Sequence, residues 1–316
     1  MALKVVALAG GVGGARLSFG LSEMLPPEDL TVIVNTGDDF DHLGLRVCPD
    51  LDTVVYTLAG VANRRTGWGR ERETWSFLET IGALGGPTWF RLGDRDVALH
   101  VHRTQRLRDG APLSEVTRQV CHAMGIRCSV LPMTDDDVRT VVVTDRGEMP
   151  FQEYFVRRAC EPAVRGFRFD GIENSRPAPG VLDALLAADL VILCPSNPWV
   201  SIDPILAVPG VRSTAGSRTV VAVSPLVGGM AVKGPAAKMA AELSVQPTPQ
   251  GIAAHYAGLL HGLVYDQADP DAGGALQQHG LRSLRTRTLM RSDRDRRRLA
   301  GEVVDFGTTV ARVEAA

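Results

Sequence analysis

The sequence predicts an α/β protein: a Rossmann-like three-layer core around a mainly parallel sheet, with a smaller inserted antiparallel lobe. Two short apolar runs, Lys4–Ala9 and Thr31–Val34, each stop abruptly at glycine-rich or polar turns, as strands buried on both faces do. Apolar residues at helical spacing follow each run, so strand and helix alternate. That rhythm lapses near the middle of the chain and then returns. Residues 1–133 and 178–316 are therefore expected to form the core, and 134–177 the β-rich lobe.

Each element has its own signal. Lys4–Ala9 is too short for a secretory signal and reads as a first strand. Leu17, Leu21, Met24 and Leu25 mark a helix that ends at Pro26-Pro27, and Thr31–Val34 is a β-branched second strand. Leu51, Val54, Val55 and Leu58 mark another helix, with Asp50 placed to cap its N-terminus. Right-handed crossovers then put these helices over a parallel sheet. In the lobe, Arg139–Thr144, Phe151–Val156 and Arg165–Phe169 read as short strands around a turn at Asp145-Arg146-Gly147. Beyond it the pattern predicts a helix over 180–188, strands at Leu190–Cys194 and Arg218–Val223, and helices over 235–244, 249–262 and 292–304.

Composition narrows the function. The 316 residues are 45% hydrophobic and 22% charged, enough to bury a substantial core. Lys and Arg total 34 against 36 Asp and Glu, a formal charge of −2, which argues against a nucleic-acid coat. Aromatics at 5% argue against a stacking platform for single strands. The five cysteines include no CxxC pair, so neither a disulfide framework nor structural zinc is expected. No apolar run is long enough to span a membrane, and a cytoplasmic location is expected.

Several polar clusters fall at predicted strand ends, where open α/β sheets bind ligands. Ala9-Gly10-Gly11-Val12-Gly13-Gly14-Ala15-Arg16 opens a helix and offers backbone N–H groups to an anion. It is not a Walker A loop, and Arg16 stands where a dinucleotide fingerprint has its third glycine. Asn35-Thr36-Gly37-Asp38-Asp39-Phe40-Asp41 holds more carboxylates than ribose recognition needs, and hard oxygen ligands suit Mg²⁺. A solvated acidic loop is the plainer alternative. Pro49-Asp50-Leu51-Asp52 adds two more carboxylates. Leu92-Gly93-Asp94-Arg95-Asp96 reads either as a surface ion pair or as an arginine clamp beside phosphate. Pro195-Ser196-Asn197-Pro198 and Ser224-Pro225 end two later strands. His100 and His102 have the spacing of a shared strand face, but a core or surface role is the preferred reading, and the arginines between 282 and 298 read as the wet face of the last helix.

Together these motifs resemble the 2-phospho-L-lactate transferases of coenzyme F-420 biosynthesis. Gly67-Trp68-Gly69, Leu131-Pro132-Met133-Thr134-Asp135-Asp136 and Phe151-Gln152-Glu153 extend the likeness through most of the chain, although Trp199 stands where a smaller residue is expected. The resemblance implies a dimeric enzyme whose acceptor is the deazaflavin Fo. Its donor is a guanosine diphosphate carrying a lactyl, enolpyruvyl or glyceryl acid. The terminal ribityl hydroxyl of Fo attacks the phosphorus bearing the acid, and GMP leaves.

Roles follow from combining the resemblance with the chemistry. Gly10, Gly11, Gly13, Gly14, Asn35, Thr36, Asp94, Ser196, Asn197 and Ser224 are expected to bind substrate. Asp38, Asp39 and Asp50 are expected to hold Mg²⁺, with one of Asp50 and Asp52 accepting the proton and Arg95 positioning Fo or the phosphoryl group. Two rivals fit the first βα unit: a nucleotide-sugar-binding regulator of the gluconeogenesis-factor type, and a nicotinamide-dependent oxidoreductase. Pro49-Asp50-Leu51-Asp52-Thr53 and Gly93-Asp94-Arg95-Asp96 favour the transferase over the first, and the aspartate cluster is unexplained by the second.

Overall fold

The structure, a computed structural model, describes residues 2–231 and 234–314. Strand β1 (Val5–Ala9) is buried throughout and leads into α1 (Gly11–Ser22), then β2 (Leu30–Val34). A small hairpin, β3 (Phe40–His42) and β4 (Leu45–Val47), precedes α2 (Pro49–Leu58). Helices α3 (Ser76–Ala83), α4 (Asp94–Arg108) and α5 (Leu113–Ala123) carry the chain to β5 (Ser129–Pro132). The antiparallel segment follows as β6 (Arg139–Thr144), β7 (Gly147–Pro150) and β8 (Val164–Asp170), in the order β7-β6-β8.

The second half resumes with α6 (Val181–Ala187) and β9 (Leu190–Leu193), a π-helical turn at Pro198–Ile202, then α7 (Asp203–Ala207), α8 (Val211–Gly216) and β10 (Thr219–Val223). A short hairpin, β11 (Leu226–Val227) and β12 (Met230–Ala231), precedes α9 (Ala236–Glu242) and α10 (Pro249–His255). The chain closes with β13 (Gly262–Asp266), α11 (Gly273–Gln278), β14 (Arg282–Thr286) and α12 (Asp293–Glu314).

Both halves share one parallel seven-stranded sheet, ordered β14-β13-β10-β9-β1-β2-β5. Leu17, Leu21, Val54, Leu299 and Val303 cover one face, and Val181, Val211, Ile252 and Leu276 the other. This is the three-layer arrangement that the alternating pattern predicts. The antiparallel sheet has its own small core, in which Val142, Tyr154 and Val164 meet Trp199, Val200 and Met239 from the second half.

Several local expectations are corrected. Asp50 lies inside the first turn of α2, and Cys48 occupies the cap position. Phe151–Val156 is not a strand: the chain turns helical at Phe151 and makes a π turn over Glu153–Arg157. The helix expected over 249–262 stops at His255, because Gly262–Asp266 pairs with both β10 and β14. His100 and His102 lie on α4 rather than on a strand. Arg282 and Arg285 belong to β14, and Arg296 within α12 is buried, so these arginines are not one wet helix face.

Helices α1 and α12 cross closely because position 20 has no side chain. A Cβ there would overlap the backbone carbonyl oxygen of Arg296. Replacing Gly20 by valine is expected to lower unfolding stability by about 1–3 kcal/mol, measured by urea denaturation.

Candidate active site

Strands β1 and β9 are neighbours, but the chain leaves them toward opposite edges of the sheet. Such a switch point leaves a crevice at the carboxyl ends, and a cavity of about 520 Å³ opens there. Gly10, Gly11 and Gly13 form part of its floor at the start of α1. The Ser196 hydroxyl accepts from the Gly10 N–H at 3.0 Å and donates to the Gly10 carbonyl at 2.8 Å. At position 13 only glycine fits, since a Cβ would overlap the carbonyl oxygen of Pro195.

Asn35 lies beneath this floor, fully buried at the end of β2. Its side-chain oxygen accepts from the Gly37 N–H at 2.8 Å. Its Nδ2 faces Asp50 Oδ2 at 2.9 Å, the Val200 carbonyl at 3.1 Å and Asp38 Oδ1 at 3.3 Å. Asp50 Oδ2 also accepts from the Ser201 hydroxyl at 3.0 Å, and Asp38 Oδ2 from Gln152 Nε2 at 3.2 Å. Burial pushes the Asp50 carboxyl up to about 6, against the hydrogen bonds from Asn35, Ser201 and the Gly11 amide. Asp38 is driven well above the usual carboxylate range by burial, then by the charges of Asp50 and Asp39. Two cavity-lining carboxylates that resist ionisation together gain from a cation, and an oxygen-only pair suits Mg²⁺ completed by substrate phosphates. Among the described residues, no group of three or more His, Cys, Asp or Glu is arranged to hold a metal ion.

The remaining walls are largely aromatic. Trp68, Trp89, Phe90, Phe151 and Phe155 line the cavity with Arg91. The Phe151 and Phe155 rings stack at 5.4 Å, while Trp89 meets Phe90 edge-on at 5.7 Å. Thr288, Leu289, Met290 and Arg16 form another part of the lining, with Arg16 Nη1 donating to the Met290 carbonyl at 3.2 Å.

Of the residues singled out in the sequence, Gly10, Gly11, Gly13, Asp38, Asp50, Ser196, Asn197 and Ser224 line this cavity, and Asn35 sits directly below. Others are elsewhere. Gly14 is buried against Ser196, and Thr36 is buried outside the lining. Asp39 is set behind the cavity, its backbone carbonyl accepting from Arg139 Nη1 at 2.7 Å, and burial raises its carboxyl to about 7. Asp52 points away from Asp50, since two residues along a helix lie roughly 200° apart. Both its oxygens are taken by the buried Arg103 guanidinium. Next to this pair His100 is buried, which lowers its pKa to about 4 and keeps it neutral. Asp94 accepts from the Thr74 hydroxyl and the Phe77 N–H, fastening the start of α3. Arg95 is exposed outside the lining, where its backbone N–H donates to Glu73.

Sequence reasoning left Ser201, Gln152 and Arg91 out of the site. Gln152 was within a quoted motif. Ser201 comes from the π turn and Arg91 from an irregular stretch, and neither carries a periodic signal.

The family model for 2-phospho-L-lactate transferase CofD matches residues 5–302. The chain is 46% identical to a phosphoenolpyruvate transferase of Streptomyces coelicolor, covering 93% of this chain and 94% of that protein. It is 44% identical to one of Thermobifida fusca, covering 96% and 98%. It is 41% identical to a 2-phospho-L-lactate transferase of Methanopyrus kandleri, covering 96% and 97%. Among solved structures, a UPF0052 family member from Bacillus halodurans matches with a TM-score of 0.63 at 14% identity, covering 96% of this chain and 99% of that one. At that identity it shows the fold alone.

The Asp52–Arg103 pair generates a stability prediction. Replacing Asp52 by alanine leaves a buried guanidinium unpaired and is expected to cost about 3–5 kcal/mol. Replacing both residues together by apolar ones of similar volume is expected to recover most of that loss, read as unfolding midpoints.

Proposed function

The chain belongs to the 2-phospho-L-lactate transferase family, and from that premise we propose that it transfers a phospho-organic acid from a guanosine diphosphate donor to the terminal ribityl hydroxyl of Fo. GMP is released, and the product is coenzyme F-420-0 or its dehydro form. Enolpyruvyl is the donor acid we favour over lactyl or glyceryl. It is supported by the names of the Streptomyces and Thermobifida relatives, which are more similar to this chain than the Methanopyrus protein.

One observation carries this reading: a single cavity of ligand size joins a glycine-rich helix start and two buried carboxylates to an aromatic wall. The flat deazaflavin ring suits the faces of Trp89, Phe90 and Phe151. The Gly10–Gly13 turn and Ser196 suit the donor diphosphate. Asp38 and Asp50 would hold Mg²⁺, which when bound supplies neutralising charge for the diphosphate and the departing GMP.

The chain's own groups do the remaining work. Asn35 and Ser201 fix the rotamer of Asp50, so the carboxylate is in place before substrate arrives. Burial raises the Asp50 pKa to about 6, and Asp50 would take the proton of the attacking hydroxyl at Oδ1, because Oδ2 already accepts from Asn35 and Ser201. Asp52 has no such freedom on Arg103. Arg91, rather than Arg95, is placed to steady an anionic group at the aromatic side.

Incubating the protein with Fo, Mg²⁺ and each guanylated acid should release GMP, fastest with the enolpyruvyl donor. No GMP from any donor, with tight binding of a nucleotide sugar instead, would mark a regulator. Asp50→Asn is expected to lower turnover by at least about 100-fold. Protons compete with the cation below the Asp50 pKa. The apparent Mg²⁺ affinity measured by calorimetry should therefore fall at least about tenfold between pH 7 and pH 5, with protonation of Asp38 adding to the loss.

A further inference from the structure

A second, smaller cleft opens behind the glycine loop. It holds about 30 Å³ of internal space and opens to solvent beside Arg64, whose side chain is 61% exposed. Val12 and Arg16 line both this cleft and the main cavity, whereas Arg64 and Arg296 line only the cleft. Three guanidiniums therefore meet around it. Asp293 is the carboxylate paired with them among the described residues: Oδ2 lies 3.0 Å from Arg64 Nη2 and Oδ1 3.1 Å from Arg296 Nη1. Three cations against one carboxylate leave two positive charges.

Arg296 makes that excess costly. Only 9% of it is exposed, its guanidinium lies 5.2 Å from the centre of the Phe19 ring, and its buried Nε–H has no acceptor among the described residues. Burial lowers its pKa, Asp293 opposes this, and the charges of Arg16 and Arg64 lower it further. Arg16 is half-buried, and its partner among the described residues is the Met290 backbone carbonyl rather than a carboxylate. A planar donor fork left open in a cleft this small matches a tetrahedral oxyanion far better than a nucleoside or an apolar group.

We propose that Arg64 and Arg296, with Arg16 shared between the cleft and the main cavity, form a binding site for a phosphate dianion beside the transfer site. A dianion cancels the two uncompensated charges, which a singly charged carboxylate does not. The phosphate is either free inorganic phosphate or a phosphate group of a nucleotide. The proposal does not rest on the transferase reading, because neither Arg64 nor Arg296 lines the main cavity.

Calorimetric titration separates the possibilities, at ionic strength matched with chloride, using inorganic phosphate in one arm and GDP in the other. With phosphate as the free ligand, the wild-type protein should bind it at a site that Arg296→Met weakens by about 10- to 100-fold. The exposed Arg64→Met should weaken it less, and it serves as the test if Arg296→Met fails to fold. If the nucleotide is the source, each variant should bind one GDP per chain fewer than the wild type. Phosphate and GDP titrations indistinguishable among wild type and both variants would overturn the proposal, whatever the transferase assay gives.

Discussion

One side-chain amide holds the candidate site together. Asn35 reaches from the end of β2 to Asp50 at the start of α2, to the Val200 carbonyl in the π turn after β9, and to Asp38 in its own loop. Three chain segments far apart in sequence are thus referred to a single buried group. An amide suits the position because it supplies N–H donors to the carboxylates and an acceptor to the Gly37 N–H at once. A carboxylate there would add a third repelling charge, and an aliphatic residue would leave buried oxygens without donors.

The buried acids of this half divide by their partners. Asp52 is neutralised by Arg103 inside the protein and belongs to the scaffold. Asp38 and Asp50 receive only neutral donors, so their charge is unresolved until something cationic enters. Helix geometry enforces the division: Asp50 and Asp52 emerge on different faces of α2, one toward the cavity and one toward α4. Two aspartates separated by a single leucine therefore have opposite electrostatic fates.

Much of this was legible in the sequence. Continuous apolar runs ending in glycine or polar turns located β1, β2, β9 and β10, and with them the edge where the cavity lies. Strands β5 and β14 were not seen, since Ser129–Pro132 is short and Arg282–Thr286 is a half-exposed edge with charged residues. The helix boundary before β13 is hard to read because apolar residues continue on both sides of it, from Ile252 through Leu259 and Leu260 to Leu263 and Val264, with the chain turning at Gly258 in a positive-φ conformation. Fine partitioning within acidic clusters was also illegible. Whether Asp39 or Asp38, or Asp50 or Asp52, meets the cavity depends on helix phase and on distant partners such as Arg103 and Arg139. The π turn that delivers Ser201 has no sequence period to announce it.

The overlap that forbids a side chain at Gly13 joins the first βα turn to Pro195, across the two halves of the sheet. With Ser196 bonded twice to Gly10, the two turns behave as one rigid piece. The glycine floor of the cavity is therefore fixed by backbone contact, whereas the aromatic wall is built of side chains from loops and from the turn at Phe151. Side chains on that wall can change without disturbing the joined turns, whereas a side chain at Gly13 cannot be added. A library built to change what the protein accepts is best confined to positions 68, 89–91, 151, 152, 155 and 156.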